Sequence, residues 1–147
     1  EYRLSSIRHL AASHTGDVAF AMQWQGDAFN AAALLGLHRR GAEARLLGDN
    51  VKDALRGYIG SVAFSGDGRQ VAITSPRGGV VQVFSASTGA LITSHAATDV
   101  CGIAASGDTF TATTGTGAVI ARATDAPSGH KTFDLQWDNH MVSLEVS

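Results

Sequence analysis

The sequence has few of the residues that mark disulfide-bonded, nucleic-acid-binding or membrane-spanning proteins. Cys101 is the only cysteine among 147 residues, so no internal disulfide can form and cysteine usage does not indicate a compartment. Two lysines and a net charge of −2 indicate no basic surface for nucleic acid or an anionic membrane. The longest apolar run, residues 31–37, is too short to span a bilayer. We therefore expect no nucleic-acid partner and no membrane insertion.

Proline is also rare, with two residues, whereas glycine is abundant, with 17. The glycines fall between short apolar stretches, a pattern typical of many short strands joined by tight turns. A hydrophobic content of 44% with 16% charged residues indicates a globular rather than a disordered chain. The chain begins with Glu1 and no secretory signal is visible, so we interpret it as a processed or truncated product of a longer protein.

Three segments share one order of features: a short apolar strand, a turn containing Gly and Asp, and an alternating strand. Leu10, Val62 and Ile103 occupy equivalent positions, at spacings of 52 and 41 residues. Such spacings are typical of four-stranded propeller blades, which bury their faces by stacking around an axis. We predict an all-β, WD40/YVTN-like β-propeller with about three four-stranded blades at residues 6–48, 58–95 and 99–136, plus an extra strand at 140–146.

The second segment is the clearest, with predicted strands at residues 60–65, 70–74, 80–85 and 90–94. The stretch TSPRGG, residues 74–79, could cradle a phosphate or turn one strand back onto the next. A phosphate loop needs a G-K-[ST] ending followed by a helix, whereas the strand-like VVQVF follows Gly79. We interpret the stretch as a hairpin turn, with Pro76 fixing one backbone angle and Gly78 and Gly79 supplying left-handed positions.

Two other regions are less regular. Residues 28–37 have the composition of a helix, but the neighbouring repeats favour outer strands at residues 33–39 and 42–47. For residues 50–57 we predict one helical turn, with Asn50 as its N-cap and Gly57 at its end. At the C-terminus we predict strands at residues 131–136 and 141–146.

Three blades are fewer than the four to eight that close a ring. An incomplete ring leaves exposed strand edges. We therefore expect either that these residues belong to a longer chain that completes a single, larger propeller domain, or that copies of the chain associate as a homo-oligomer through their blade edges.

The starts of the innermost strands carry the residues most suited to chemistry. In a propeller these starts converge on one mouth of the central channel, which would bring His9, Cys101 and His140 together with Asp99 and Asp138 behind them. Imidazole and thiolate suit Zn, Cu or Fe, so a bound metal ion is one interpretation. Two alternatives stay open. The residues could be structural, or a small anion or peptide could bind there, for which we predict the ligand-binding residues Arg8, Ser61 and Arg77.

Recurrent turn residues and tryptophans have structural interpretations. Asp17, Asp67 and Asp108 recur in equivalent turns, where aspartate hydrogen-bonds its own turn. Trp24 and Trp137 are expected to cover the core between blades. No GxSxG, HExxH, CxxC or EF-hand spacing occurs, so no catalytic residue is predicted.

The motifs IRHLA, GYIGSVAF, VAITSPRGG, DVCGIA and WDNHMV, in that order, resemble an uncharacterised bacterial family of the "domain of unknown function" class. The resemblance implies that residues 1–147 are the C-terminal part of a seven-bladed propeller, which is exported to the periplasm by the twin-arginine route and encoded near imelysin-like, iron-associated proteins. It implies a non-catalytic module that binds a periplasmic protein or a small ligand, with a link to iron or metal handling. The alternative is a metal-dependent redox enzyme with its site at the channel mouth.

Overall fold

The computed structural model describes residues 2–27, 30–121, 130–138 and 140–144. Within these residues the chain forms three antiparallel sheets of four strands, and each strand pairs with its neighbours along the chain. The first sheet consists of β1 (Ser5–Ala12), β2 (Asp17–Trp24), β3 (Leu35–Arg39) and β4 (Arg45–Leu47). The second consists of β5 (Ser61–Phe64), β6 (Gln70–Ser75), β7 (Val80–Ser85) and β8 (Leu91–Ala96). The third consists of β9 (Val100–Ser106), β10 (Thr109–Thr114), β11 (Ala118–Ala121) and β12 (His130–Thr132).

The sheets pack face to face, with β1, β5 and β9 next to one another. The second sheet is buried on both faces because its strands alternate strictly between two interfaces. Val71 and Ile73 pack towards the first sheet, whereas Ala72 between them packs towards the third. This arrangement explains the nearly continuous apolar sequence of β7, and it confirms the predicted β-propeller architecture of successive four-stranded blades.

The residues predicted to be equivalent occupy the same position in each sheet. Val62 packs in the interface between the first and second sheets, and Ile103 packs in the interface between the second and third. Leu10 lies in register with Phe20, on the face of the first sheet that points away from the second sheet, and is 67% exposed. Each of these side chains therefore points towards the sheet that would precede its own, and among the described residues no sheet covers Leu10.

Strands, rather than a helix, occupy the region whose composition suggested a helix. The observed strands β3 and β4 are shorter than the predicted ranges 33–39 and 42–47, and residues 31–34 are buried outside any strand. Gly36 of β3 lies under the ring of Phe20, and a side chain at Gly36 would overlap that ring. The helix-forming composition is therefore overridden by pairing with β2. The start of the alternative helix, residues 28–29, lies outside the described residues.

The segment between the first two sheets is a 3-10 helix, Asp49–Leu55. The prediction that Asn50 is its N-cap is wrong. The cap position is Gly48, which has a left-handed backbone with φ 71° and provides no side-chain hydrogen bond. Arg56 and Gly57 after the helix also have positive φ values, so the chain reverses sharply before β5.

The C-terminal prediction needs two corrections. β12 covers His130–Thr132 rather than residues 131–136, because Thr132 already pairs with Ala118, the first residue of β11, and the partner strand does not continue beyond it. Residues 140–144 are not in a strand, although we predicted one at 140–146; residues 145–146 lie outside the described part. This segment instead contacts β9 through side chains, with Ser143 Oγ donating to the Ala105 carbonyl oxygen at 2.5 Å. Without a backbone ladder to β9 it forms no strand.

Candidate functional site

The TSPRGG stretch is the turn between β6 and β7, as predicted. Ser75 anchors it: its Oγ donates to the Leu55 carbonyl oxygen at 2.8 Å and accepts the Gly78 backbone N–H at 3.0 Å. Within this turn, Gly79 is the residue with a positive φ, 61°, so the prediction of a left-handed Gly78 is wrong. Gly78 is required for space instead, because a side chain there would overlap the carbonyl oxygen of Ala54. The turn is thus fixed rigidly against the 3-10 helix.

This rigid turn presents Arg77 at the end of the molecule where β5 and β9 begin. The Arg77 guanidinium lies 5.1 Å from the centre of the Tyr58 ring, a cation–π contact that orients it. Pro76, beside it, lies over Gly60, where a β-carbon would be 2.7 Å from the proline ring. Tyr58 and Pro76 therefore hold the only charged group of the turn in a defined position.

A cavity of about 560 Å³ opens beside Arg77 and is called the mouth cavity here. It lies between the second and third sheets and is lined by Gln23, Tyr58, Pro76, Arg77, Asp99, Cys101, Gly115 and Trp137. The lining includes a guanidinium, a carboxylate and two large aromatic rings. Polar groups that meet in a concave site can fix the orientation of a bound ligand.

Asp99 takes its place in the mouth cavity through an unusual backbone. Its φ is 55°, which is uncommon for a residue other than glycine, and its carbonyl oxygen accepts the Gly115 backbone N–H at 3.0 Å. A β-carbon at Gly115 would overlap the Asp99 carboxylate, so glycine at this position leaves room for the carboxylate where it now lies. Left-handed residues of this kind concentrate at functional sites.

Trp137 forms the third side of the cavity. Its indole Nε1–H donates to the Gly117 carbonyl oxygen at 3.1 Å, and its ring meets the edge of Phe133 at 5.9 Å. Trp24, in contrast, packs against the core between the first and second sheets, as predicted. Trp137 was predicted to cover a core between blades, whereas its side chain forms part of the cavity wall.

The structure brings together two of the three predicted metal ligands. The rings of His9 and His140 lie 5.3 Å apart, centre to centre, at an angle of 53°. Burial, then the neighbouring His140 and Arg8, lower the pKa of His9 below the usual histidine value. Among the residues that the structure describes, no group of three or more His, Cys, Asp and Glu side chains could hold a metal ion.

Cys101 has its own surroundings. Its side chain is buried, and the Sγ–H points at backbone carbonyl oxygens of Thr113, Trp137 and Asp138 at 3.5–3.6 Å. Its own carbonyl oxygen accepts the Thr74 hydroxyl at 2.6 Å. Cys101 therefore joins the second sheet, the third sheet and the chain around Trp137 at the base of the mouth cavity.

One of the three predicted anion-binding residues lines the mouth cavity. Arg77 lines the mouth cavity, but Arg8 and Ser61 do not. Arg8 is exposed at an irregularity in β1, between Ile7 and His9, and Ser61 is buried opposite Thr74. The anion site stays a prediction for Arg77, without evidence for the other two.

Tyr58 is a site residue that was not predicted from the sequence, and Asp99 was expected only to lie behind the histidines. The sequence does contain a signal that links these two residues, because they hold equivalent positions in their repeats. Tyr58 lies four residues before Val62, and Asp99 lies four residues before the aligned Ile103. Residues before the innermost strand of two blades meet in one cavity, so the repeat alignment alone could have paired them.

A larger cleft, of about 900 Å³, lies at the opposite end of the first two sheets. Two of its arginines are engaged within the fold. Arg39 donates twice to Asp17 at 2.7 and 2.8 Å, and Arg45 donates to the carbonyl oxygens of Ala86 and Ser87. Asp17 thus pairs mainly across strands, whereas Asp67 accepts from its own turn as predicted. Arg77 of the mouth cavity lies instead against the aromatic ring of Tyr58, which leaves its guanidinium N–H groups available to a ligand, so the mouth cavity is the better candidate.

The turn, the cavity and the order of blades can be compared with known proteins. The sequence profile of a family described as "Protein of unknown function (DUF1513)" matches residues 1–144. The chain belongs to this family. A search of curated proteins finds no match.

Solved structures with the same architecture are WD40 propellers. A chain of the mitotic checkpoint complex superposes with a TM-score of 0.68 at 15% identity, covering 92% of this chain and 40% of that one. Kluyvelomyces marxianus Hsv2 gives 0.56 at 15% identity, covering 76% and 35%. Kluyveromyces lactis Hsv2 gives 0.55 at 14% identity, covering 95% and 46%. The likeness shows the fold alone, and the chain spans less than half the length of these structures. No helix of the described residues is long and apolar enough to cross a membrane.

Proposed function

We propose that the protein is a non-catalytic binding module that holds a segment of a partner protein, or a small ligand, in the mouth cavity. The observation that carries this proposal is the meeting of Arg77, Tyr58 and Trp137 around one cavity at the end of the blades. Arginine, tyrosine and tryptophan are the residues that dominate the binding energy of protein interfaces.

The wall of the cavity is built to stay in place without a ligand. Arg77 is fixed by Tyr58, and its turn is anchored through Ser75 to the 3-10 helix. Trp137 is fixed by its hydrogen bond to Gly117. A preorganised wall loses little conformational freedom on binding, so more of the interaction energy appears as affinity.

The charges indicate the chemistry of the ligand. Arg77 offers a planar donor for a carboxylate or another anion, and Asp99 offers an acceptor for an amide or a cation. Tyr58 and Trp137 provide apolar surface between them. These groups suit a short peptide segment that carries an acidic group next to an apolar side chain.

Selection of peptides from a random display library against the chain tests the proposal. Selected peptides should carry an acidic residue, and their affinity by calorimetry should fall at least ten-fold for Arg77→Ala, as for an interface hot spot. Trp137→Phe should also weaken binding, because it removes the indole hydrogen bond and part of the ring. Arg69→Ala is the matched control, since Arg69 is exposed at the opposite end of the second sheet. Equal affinity for Arg77→Ala and the wild type, with a loss for Arg69→Ala, would overturn the proposal.

We also propose that these blades work within a larger propeller. The exposed face of the first sheet supports this, because Leu10 and Leu46 lie on either side of the Phe20–Gly36 pair in one cross-strand row. An apolar row of this kind is normally covered by a neighbouring blade, supplied by the rest of a longer chain or by a second copy. Sedimentation of the full-length protein would distinguish a monomer from an associating chain.

The resemblance described above supports a periplasmic location and a link to iron or metal handling as further parts of the proposal. Cell fractionation of the full-length protein tests the first part. Its recovery with cytoplasmic marker proteins would contradict a periplasmic role.

A further inference from the structure

His9 and His140 form a pair that the binding proposal does not use. His9 lies in β1, and His140 belongs to the C-terminal segment, far away along the chain. The strand irregularity at Arg8 shifts the register of β1 immediately before His9. Such irregularities re-aim a side chain, and here the His9 ring comes to lie 5.3 Å from the His140 ring.

The separation of the two rings fits a shared metal ion. A divalent ion lies about 2.0–2.1 Å from each imidazole nitrogen, so it lies about 3.1 Å from each ring centre. Ligand angles from 90° to 180° then put the two ring centres about 4.4 to 6.2 Å apart. The observed 5.3 Å lies within this range, near the value expected for a tetrahedral angle.

We infer that His9 and His140 bind a divalent transition metal ion between them, with water completing its coordination. The surroundings allow this, because His140 is exposed and His9 is only half-buried, so an ion and its waters can reach both rings. The described residues supply no third His, Cys, Asp or Glu ligand. The site is therefore exchangeable rather than structural, and it should follow the general order in which Cu²⁺ binds more tightly than Zn²⁺.

Metal binding at this pair would link two parts of the fold. The C-terminal segment also contacts β9, where Met141 lies against Gly102 and Ser143 bonds to Ala105. An ion at His9 and His140 would join that segment to β1 as well, across the groove between the innermost strands. A ligand that binds only the folded chain stabilises it in proportion to the logarithm of its concentration over Kd.

Calorimetric titration of the tag-free chain with Cu²⁺ and with Zn²⁺ tests the inference. We expect one ion per chain, tighter binding of Cu²⁺, and at least ten-fold weaker binding in both His9→Ala and His140→Ala. His14→Ala and His38→Ala are matched controls, because both side chains are exposed at the opposite end of the first sheet. Each control should bind metal as the wild type does.

Thermal unfolding provides a second readout that does not depend on the titration. Saturating Zn²⁺ should raise the Tm of the wild type, and EDTA should reverse the rise. His140→Ala should keep the Tm of the metal-free wild type and lose the response, because its exposed ring contributes little packing. The absence of binding below millimolar metal, or one-to-one binding that survives both substitutions, would overturn the inference.

Discussion

Gly78→Ala tests whether the TSPRGG turn is fixed against the 3-10 helix. A β-carbon at position 78 would overlap the Ala54 carbonyl oxygen and lie 3.0 Å from both the Ala54 carbonyl carbon and Ser75 Oγ. Two of these three neighbours are backbone atoms within the 3-10 helix, so the clash cannot be relieved by turning a side chain. The turn or the helix must move instead.

Movement of the turn breaks the two hydrogen bonds of Ser75, each of which contributes about 1 kcal/mol. Forcing an additional methyl group into a packed site costs about 1–3 kcal/mol more. We therefore expect Gly78→Ala to lower the free energy of unfolding by about 3–5 kcal/mol. At about 3 °C per kcal/mol for a chain of this size, the Tm should fall by about 9–15 °C.

Gly79→Ala is the matched control, because it adds the same methyl group one residue later. Gly79 has a left-handed φ of 61°, but no atom lies closer than 3.8 Å to its β-carbon position. Its cost is the backbone penalty alone, about 1–2 kcal/mol. Urea unfolding followed by tryptophan fluorescence measures both variants. If Gly78→Ala is no more destabilising than Gly79→Ala, the docking of the turn on the helix is refuted.

Three further predictions concern the interior and one ion pair. Thr74→Val, which leaves the Cys101 carbonyl oxygen unpaired, should cost about 1–3 kcal/mol in urea unfolding, whereas Thr74→Ser should cost less. The Cys101 thiol should react with a disulfide reagent only in denaturant; rapid native labelling would show that it is not buried. The hydrogen bond from Arg39 lowers the pKa of Asp17, so Asp17→Asn should destabilise at neutral pH, and this difference should vanish as pH falls through the lowered pKa.

The fold was predictable where the repeats were regular. In the second sheet, the glycine-rich turns and the alternation of large apolar residues indicated all four strands, with every boundary within two residues of the observed one. The first sheet was harder, since the helix-like composition before β3 conflicts with strand pairing, and only the neighbouring repeats resolved it. The cap at Gly48 was missed because its geometry arises from the left-handed backbone of a glycine rather than from a side-chain hydrogen bond.

The site was predictable only in part, because it depends on contacts between distant residues. His9 lies close to His140, as the hypothesis of a shared channel mouth predicted, although His140 belongs to the C-terminal segment rather than to an innermost strand. That hypothesis did not reveal that the Cys101 thiol turns towards backbone carbonyl oxygens, or that Trp137 folds over Gly117 to close the mouth cavity. Those positions follow from the path of the chain after β12, for which the sequence carries no periodic signal.

The most direct test of the mouth cavity as a binding site is an NMR titration with a selected peptide. The measured quantities are the chemical shifts of the indole N–H groups of the two tryptophans. Both indoles donate to backbone carbonyl oxygens, Trp137 to Gly117 and Trp24 to Asp27, but only Trp137 lines the cavity. We expect the Trp137 signal to shift with added peptide while the Trp24 signal stays in place. A saturable peptide that leaves the Trp137 signal unmoved would contradict binding in the mouth cavity.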